Sequence, residues 1–567
     1  MLPTQYAIFS MKFKSVCSVR PYSSKKGISY FTTPIYYVNA NPHIGHLYSS
    51  LIADAAQRWH RIRNRGAKIK FATGTDEHGT KIQQAAELNN SSLPAYCSGV
   101  SDRYKVLADK FNIQYTDFIR TTCDTHKRTV EKFWDRLQQN GVLYESKYEG
   151  WYCVPDESFL SDFQLTKRTS KNGDTTFVSA ESGHPVEWTE ERNYMFKLSS
   201  FRNELEHWLT TNENAVKPRK YRKILEELIR NDNALVDVSV SRPSSRVHWG
   251  IPVPNDESQT VYVWLDALVN YLTVAGYFRT PEAEFNQVWP PDLQVIGKDI
   301  LKFHGVYWPA FLIAAGLEPP RSILCHSHWT VDGEKMSKSK GNVVDPFQRS
   351  EVYTSDGLRY FLLREGVSSN DSNYSDIKVV NILNSELADT LGNLLSRCCG
   401  TNLNPSQAFP MFNQRWFEKV LENDVTRRLI DHVTELPGVC ERHYSDHNFY
   451  KAADAVIATL HAANLFFETL KPWELKKEAW RANELNAVLH LTMETLRVTA
   501  TLIQPLIPVL SGRLLDKLSV PVNRRRFDDV LEPSWTRGHS DEKNLTSETA
   551  VLFKRIDDKR DKGRKIN

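Results

Sequence analysis

The chain has 567 residues, 41% hydrophobic and 25% charged, with a formal net charge of +4. That length suggests about three or four domains, and the balance is that of a soluble globular protein. No apolar run reaches the ~18 residues a membrane span needs, so no membrane partner is expected, and so small a charge confines any RNA contact to local patches.

The N-terminal stretch is basic and free of acid. No Asp or Glu precedes Asp54, while Lys12, Lys14, Arg20, Lys25 and Lys26 are interleaved with Ser, Phe and Val, which predicts an organellar transit peptide over residues 1–27. A basic disordered tail is the competing interpretation. No continuous apolar core precedes a small-residue cleavage site, which argues against secretion. Cys17, Cys97, Cys123, Cys153, Cys325, Cys398, Cys399 and Cys440 include no pair at C-x-x-C spacing and are expected to be reduced thiols.

Residues 28–33 and 35–38, separated by Pro34, are rich in β-branched and aromatic side chains and predict a strand. A turn at Asn39-Ala40-Asn41-Pro42 leads into a helix entered at Pro42, on which Leu47, Leu51, Ala55, Trp59 and Ile62 recur as a buried face. In Pro42-His43-Ile44-Gly45-His46 the two histidines lie three apart on one side of that helix, beside backbone N–H groups that favour a phosphate. Gly45 would let a flat ring approach the backbone. Alone, such a His pair is as readily a surface or core pair. With its strand and turn it makes the opening of a mononucleotide-binding α/β fold, continued by a strand over 68–73 and a helix from Lys81.

Between about 119 and 241 the pattern is interrupted by Trp151-Tyr152-Cys153, a polar run over 166–176 and a basic run over 217–223 that leads a helix. Farther on, Lys335-Met336-Ser337-Lys338-Ser339 sits between Asp332-Gly333 and Gly341-Asn342, which predicts both lysines on a mobile, turn-rich loop. Two ammonium groups that close late on a triphosphate would stabilise the transition state more than the ground state. Asp76-Glu77-His78, and His326 with His328, suggest metal sites, but neither group brings the further ligands of a closed site, so no metal is expected. From about Ser350 glycine becomes sparse and helical periodicity takes over, as in Ala452, Ala455, Val456 and Leu460, or Leu485, Leu489, Met493 and Leu496, predicting an all-α C-terminal region. The basic tail, with Lys554, Arg555, Lys559, Arg560, Lys562, Arg564 and Lys565, suits either RNA phosphates or a solvated charged end.

The order and separation of the two signatures resemble those of the class I aminoacyl-tRNA synthetases. Four more stretches, Pro34-Ile35-Tyr36-Tyr37-Val38-Asn39, Gly74-Thr75-Asp76-Glu77-His78-Gly79, Val261-Tyr262-Val263-Trp264-Leu265-Asp266-Ala267, and Ile296-Gly297-Lys298-Asp299-Ile300 with Phe303-His304 and Trp308-Pro309, are similar to the methionyl-tRNA synthetase family. The resemblance implies a Rossmann-like α/β catalytic domain in two halves, 28–118 and 242–349, split by a connective insertion over 119–241. A stem-contact region over 350–385 and an all-α anticodon-binding domain with the basic tail over 386–567 would follow. It also implies ATP-dependent ligation of L-methionine to tRNA(Met) with a CAU anticodon, through methionyl-adenylate, with Mg2+ accompanying ATP; with the transit peptide, the expected place is the mitochondrial matrix.

The family's motifs imply roles residue by residue. His43, Gly45, His46, Gly297, Asp299, Lys335 and Lys338 would bind ATP, with His43, His46, Lys335 and Lys338 catalytic. Ile35, Tyr37, Trp264, Ala267, Leu268, Tyr271, Ile300, His304 and Trp308 would line the methionine pocket, Asp76 would take the α-ammonium, and Arg242 is a further candidate. Aromatic and aliphatic walls suit a polarisable thioether, and a carboxylate suits an ammonium. Asn393, Arg397 and Trp473 would read the anticodon by hydrogen bonding and stacking, although Trp473 beside Pro472 is otherwise a helix-start packing residue.

The chain departs from the family where zinc knuckles often occur. Cys153 is a single cysteine there and residues 179–185 hold no second pair, so no structural zinc is expected and Trp151, Tyr152 and Trp188 would hold the knuckle by packing. An appended dimerisation module is not expected, which makes a monomer the default. Two competing functions are a class I synthetase for cysteine or an aliphatic amino acid, and an RNA-binding relative without catalysis. The lack of clustered cysteines argues against cysteine selection by metal, and the intact His43, His46, Lys335 and Lys338 argue against the second.

Overall fold

The computed structural model describes residues 27–153, 158–160, 165–169, 175–180, 183–336, 341–538, 543–547 and 551–557. Its centre is a parallel sheet. In chain order the elements that bear on the site begin with β1 (Ser29–Thr32), β2 (Tyr36–Tyr37), α1 (Ile44–Arg63), β3 (Ile69–Asp76), β4 (Asp117–Arg120) and α2 (Asp124–Gln139), with helices Thr80–Leu88 and Leu93–Lys110 between β3 and β4. Then come β5 (Leu143–Cys153), β6 (Glu187–Phe196), β7 (Val216–Lys217), α3 (Val263–Ala275), β8 (Leu293–Gly297), β9 (Ile323–His326), β10 (Trp329–Val331) and β11 (Glu334–Lys335). The sheet runs β7-β9-β8-β1-β3-β2, with β4 also on β3, and every pairing in it is parallel. Successive residues point to opposite faces. Phe31, Phe71 and Val295 accordingly join one core, and Tyr30, Ala72 and Ile296 another.

Strand β3 continues to Asp76, past the Thr73 expected from composition, because β4 pairs along Ala72 to Thr75. Gly74 permits that pairing: a Cβ there would lie 2.0 Å from the Ile119 carbonyl oxygen. Helix α1 begins at Ile44 and not at Pro42, since His43 takes the N-cap. Leu47, Leu51, Ala55 and Trp59 are buried as the spacing predicts, and Asp54 and Gln57 are buried as well.

Within 119–241 the chain is not wholly an excursion from the sheet. β4 spans the boundary at 119, and β7 returns as an edge strand beside β9. The part that leaves is a long antiparallel ribbon of β5 and β6, paired from Leu143 with Phe196 to Tyr152 with Glu187. Trp151 and Trp188 face each other across it, edge to face at 5.4 Å, with Tyr152 buried and Trp188 still exposed.

Helices α4 (Asp424–Ser445), α5 (Phe449–Leu470) and α6 (Ala482–Ile503) form the C-terminal bundle, with α6 buried on nearly all sides. One departure from an all-α region is a short antiparallel pair, Ala408–Phe409 with Lys543–Asn544. The bundle, with the helix Ser355–Glu365 that precedes it and carries Arg359, grips α1. Arg359 and Asp54, both fully buried, pair at 2.8 Å; Trp59 stacks on Tyr444 at 4.6 Å; and Arg63 meets Glu441 at 2.6 Å. No helix among the described residues is long and apolar enough to cross a membrane.

Candidate active site

A cavity of about 400 Å³ opens at the C-terminal ends of β1, β3, β8 and β9, where open α/β sheets generally bind ligands. One half is apolar. Trp264, Ala267, Leu268 and Tyr271 line it from α3, at spacings of three and four that place them on one helix face. Ile35 and Tyr37 close it from the β1 side, and Ile300 and His304 from the turn after β8. A π-helical turn, Phe303–Tyr307, brings Phe303 flat against Trp264 at 3.7 Å, which fixes the indole.

His304 is a neutral part of this wall. Its Nδ1 hydrogen-bonds the Ile300 carbonyl at 3.0 Å, so Nε2 is left to accept from the Tyr271 hydroxyl at 2.9 Å. Burial lowers its pKa to about 4, against a partial lift from the Ile300 bond. Trp308 does not reach the cavity. It is fully buried behind Tyr271, 6.0 Å ring to ring, and packs on Phe133 and Trp289. Arg242 also stays off the wall, its guanidinium 4.4 Å from the Tyr262 ring and bonded to Ser239 Oγ and the Ser241 carbonyl at 2.7 Å each.

Asp76, at the end of β3, also lines the cavity. The other half is polar. At the start of α1 the His43 Nδ1 accepts from Gly45 N–H at 3.0 Å, and His46 Nδ1 accepts from His43 N–H at 3.2 Å. Both Nδ1 atoms are acceptors, so in a neutral ring the proton sits on Nε2, and each imidazole is a donor without net charge. Burial first, then the nearby His43, holds His46 well below the usual imidazole pKa. Gly45 has an internal reason as well as room for a ligand. A Cβ there would sit 2.7 Å from His43 Cε1, so a larger residue would push the capping ring aside.

Gly297 at the end of β8 and Asp299 in the following turn line the same cavity. Asp299 Oδ2 is 2.6 Å from Lys335 Nζ, and its Oδ1 is 3.4 Å from His328 Nε2. Lys335 departs from the expected loop. β10 and β11 form a hairpin whose Asp332 and Gly333 both have positive φ, 53° and 76°, the geometry of a tight two-residue turn. Lys338 lies outside the described residues.

Several lining residues were given no ligand-binding role by the sequence, among them Tyr36, Tyr48, Ser49 and Asn270, and His326 and His328, which stood out there only as a metal pair lacking further ligands. His326 ties β9 to α1: its Nε2 is 2.7 Å from Ser49 Oγ, and its Nδ1 bonds the Ser327 carbonyl at 2.9 Å. Burial lowers its pKa to about 4. The only available signal was position at the C-terminal end of a parallel strand, which needs the strand order. No cluster of three or more His, Cys, Asp or Glu able to hold a metal occurs among the described residues.

On the helical side Asn393 is exposed and Arg397 follows one turn later in the helix Asn393–Cys399. The Arg397 guanidinium lies 5.6 Å from the Trp473 ring and 4.8 Å from Phe467, and pairs with Glu468 at 2.7 Å. Trp473 is half-buried against the bundle core, one residue after Pro472 opens its short helix. The ring thus packs on the core without being fully buried.

The description "tRNA synthetases class I (M)" matches residues 29–399, and "Anticodon binding domain of methionyl tRNA ligase" matches 419–565. The human protein "Methionine--tRNA ligase, mitochondrial" is 48% identical over 545 residues, 94% of this chain and 91% of that protein. The Xenopus laevis protein of the same description is 44% identical, over 93% and 92%. Among solved structures, the Mycobacterium tuberculosis methionyl-tRNA synthetase in complex with methionyl-adenylate superposes with a TM-score of 0.85 at 35% identity, covering 93% of this chain and 99% of that one.

Proposed function

The chain belongs to the methionyl-tRNA synthetase family, and from that premise we propose that its cavity holds L-methionine in the apolar half and ATP in the histidine half. The chain is a methionine–tRNA ligase of the mitochondrial kind. One observation carries the site assignment: a single cavity joins a neutral aromatic wall to a helix N-terminus bearing two N–H donors, with the carboxylate of Asp76 in its lining.

In the first step the methionine carboxylate attacks the α-phosphorus of ATP, the bond to the β,γ-phosphates breaks, and pyrophosphate leaves. The nucleophile is already ionised, so no general base is required. The chain's contribution is position and charge. Asp76 takes the ammonium, Ile35, Tyr37, Trp264, Ala267, Leu268, Tyr271, Ile300 and His304 hold the thioether side chain, and Trp308 supports Tyr271 from behind. His43 and His46 donate through Nε2 to phosphate oxygens, Gly45 and Gly297 leave room for the nucleotide, and Asp299 accepts from the ribose hydroxyls. For that, Lys335 exchanges its contact with Asp299 for phosphate, joined by Lys338. Mg2+ would ride on the phosphates, adding a counter-charge. In the second step the terminal tRNA hydroxyl attacks the adenylate carbonyl and AMP leaves.

Asn393, Arg397 and Trp473 meet the CAU anticodon of tRNA(Met), and the protein works as a monomer in the mitochondrial matrix without structural zinc. Charging of that tRNA with labelled methionine, and its loss when the anticodon is changed, tests the assignment. A reporter fused to residues 1–27 that stays in the cytosol would overturn the matrix address, and one equivalent of zinc surviving chelation in the purified protein would overturn the zinc expectation.

A further inference from the structure

Asp266 stands in a stretch that resembles the family, yet it lines no part of the cavity. Its carboxylate is buried, with one oxygen 2.7 Å from His78 Nδ1 and the other 2.7 Å from His126 Nε2. The side chains of the three are 1%, 4% and 0% exposed. An ionised carboxylate can only accept, so both facing ring nitrogens carry protons. Ionisation is favoured: although burial opposes it, the two histidines lower the Asp266 pKa to about 2. His126 Nδ1 lies 3.0 Å from Thr273 Oγ1, which brings it back to α3 two turns along.

The three residues come from three elements: His78 from the turn after β3, His126 from α2, and Asp266 from α3. His78 is two residues beyond Asp76, and Asp266 is next to Ala267. Glu77, between Asp76 and His78, is also tied inward, taking two bonds from Arg120 at 2.6 and 3.0 Å and one from Thr122 at 2.5 Å. The two residues after Asp76 are thus anchored to different elements, Glu77 to β4 and the residues after it, and His78 to α3, while Asp76 lines the cavity. The α3 face formed by Trp264, Ala267, Leu268 and Tyr271 is held by the carboxylate that holds His78.

We propose that Asp266, through His78 and His126, is a positioning residue for amino-acid activation: it sets the helix face that receives the substrate side chain at a fixed distance from the carboxylate that receives its ammonium. The inference rests on the assignment of Asp76 to the ammonium. A substrate that must engage both ends at once is sensitive to that distance, whereas ATP, bound across α1 and β8, is not.

Pyrophosphate exchange with the full chain tests it. Asp266→Asn and His78→Ala should each raise the KM for methionine about tenfold or more and leave the KM for ATP within about twofold. His78→Asn, whose amide N–H can stand where Nδ1–H stood, should restore the methionine KM, a rescue that general loss of packing does not predict. If Asp266→Asn and His78→Ala lower the thermal midpoint but leave the methionine KM unchanged, or if His78→Asn fails as fully as His78→Ala, the positioning role is overturned. Asp76→Asn separates the two levels. Impairment there, with Asp266 and His78 variants unaffected, overturns only the positioning role; an unchanged methionine KM in Asp76→Asn removes the ammonium assignment and the inference with it. Where Asp266→Asn does not fold, the His78 pair decides.

Discussion

Replacing Trp473 by Ala should separate the two half-reactions. The ring is half-buried on the bundle, with Arg397 5.6 Å from it and its backbone fixed after Pro472, so truncation removes a stacking face without opening the core. Stacking one base on an aromatic ring is worth roughly 1–3 kcal/mol, or about 5- to 150-fold in charging efficiency. Arg397 shares the contact, and an exposed cation–π pair contributes about 0.5–1 kcal/mol. The Arg397→Ala and Trp473→Ala losses should therefore overlap, with the double variant falling short of their sum by about that amount. The assay is kcat/KM for tRNA charging beside pyrophosphate exchange for each variant. Exchange should barely change, because the cavity proposed for ATP and methionine includes neither residue. If exchange falls as far as charging, Trp473 is a packing residue of the bundle and its place in anticodon recognition is refuted.

Lys338→Ala should slow adenylate formation far more than it weakens ATP binding, because a lysine acting on the developing pyrophosphate charge is felt in the transition state; pre-steady-state kinetics that show only lost ATP affinity would contradict this. Arg359→Met should cost about 3–5 kcal/mol in denaturant unfolding, since it leaves Asp54 and the carbonyls of Phe111, Pro505 and Leu506 short of a buried donor; a loss below about 1 kcal/mol would mean the contact is dispensable. Acid should destabilise the fold through Asp266 and Glu494, each lowered to about 2 by histidine or arginine partners that overcome burial. Their folded pKa values lie below the unfolded ones, so the stability they add is complete above the ordinary carboxylate range and is lost as pH falls from about 4 to about 2. Denaturant midpoints measured down that range should drop, and Asp266→Asn should drop less steeply than the unaltered chain.

The parts legible in the sequence were those with a local cause. The face of α1 followed from Leu47, Leu51, Ala55 and Trp59, and the strand before it from its β-branched and aromatic run. Residues far apart in the chain, from Ile35 to Lys335, meet in one cavity, and only the resemblance, not any local pattern, grouped them beforehand. What local pattern could not supply was pairing. Asp332-Gly333 marks a turn in either setting, and only the partner strand β10 makes Lys335 a strand residue. Gly74 looks like a loop glycine until Ile119 is seen lying against it. Trp308 was expected at the wall because the family's motif put it there, but a buried aromatic is equally content one layer back, where it packs on Phe133 and Trp289. His326 needed the strand order, and Asp266 needed partners 188 and 140 residues away.

The most direct test of the central claim is methionine-dependent exchange of labelled pyrophosphate into ATP, run with the same enzyme beside isoleucine, leucine, valine and cysteine. A neutral pocket of Trp264, Tyr271, Ile300 and His304 predicts exchange with methionine and rates lower by roughly 100-fold or more with each of the others. No exchange with methionine, or equal exchange with any competitor, would contradict it.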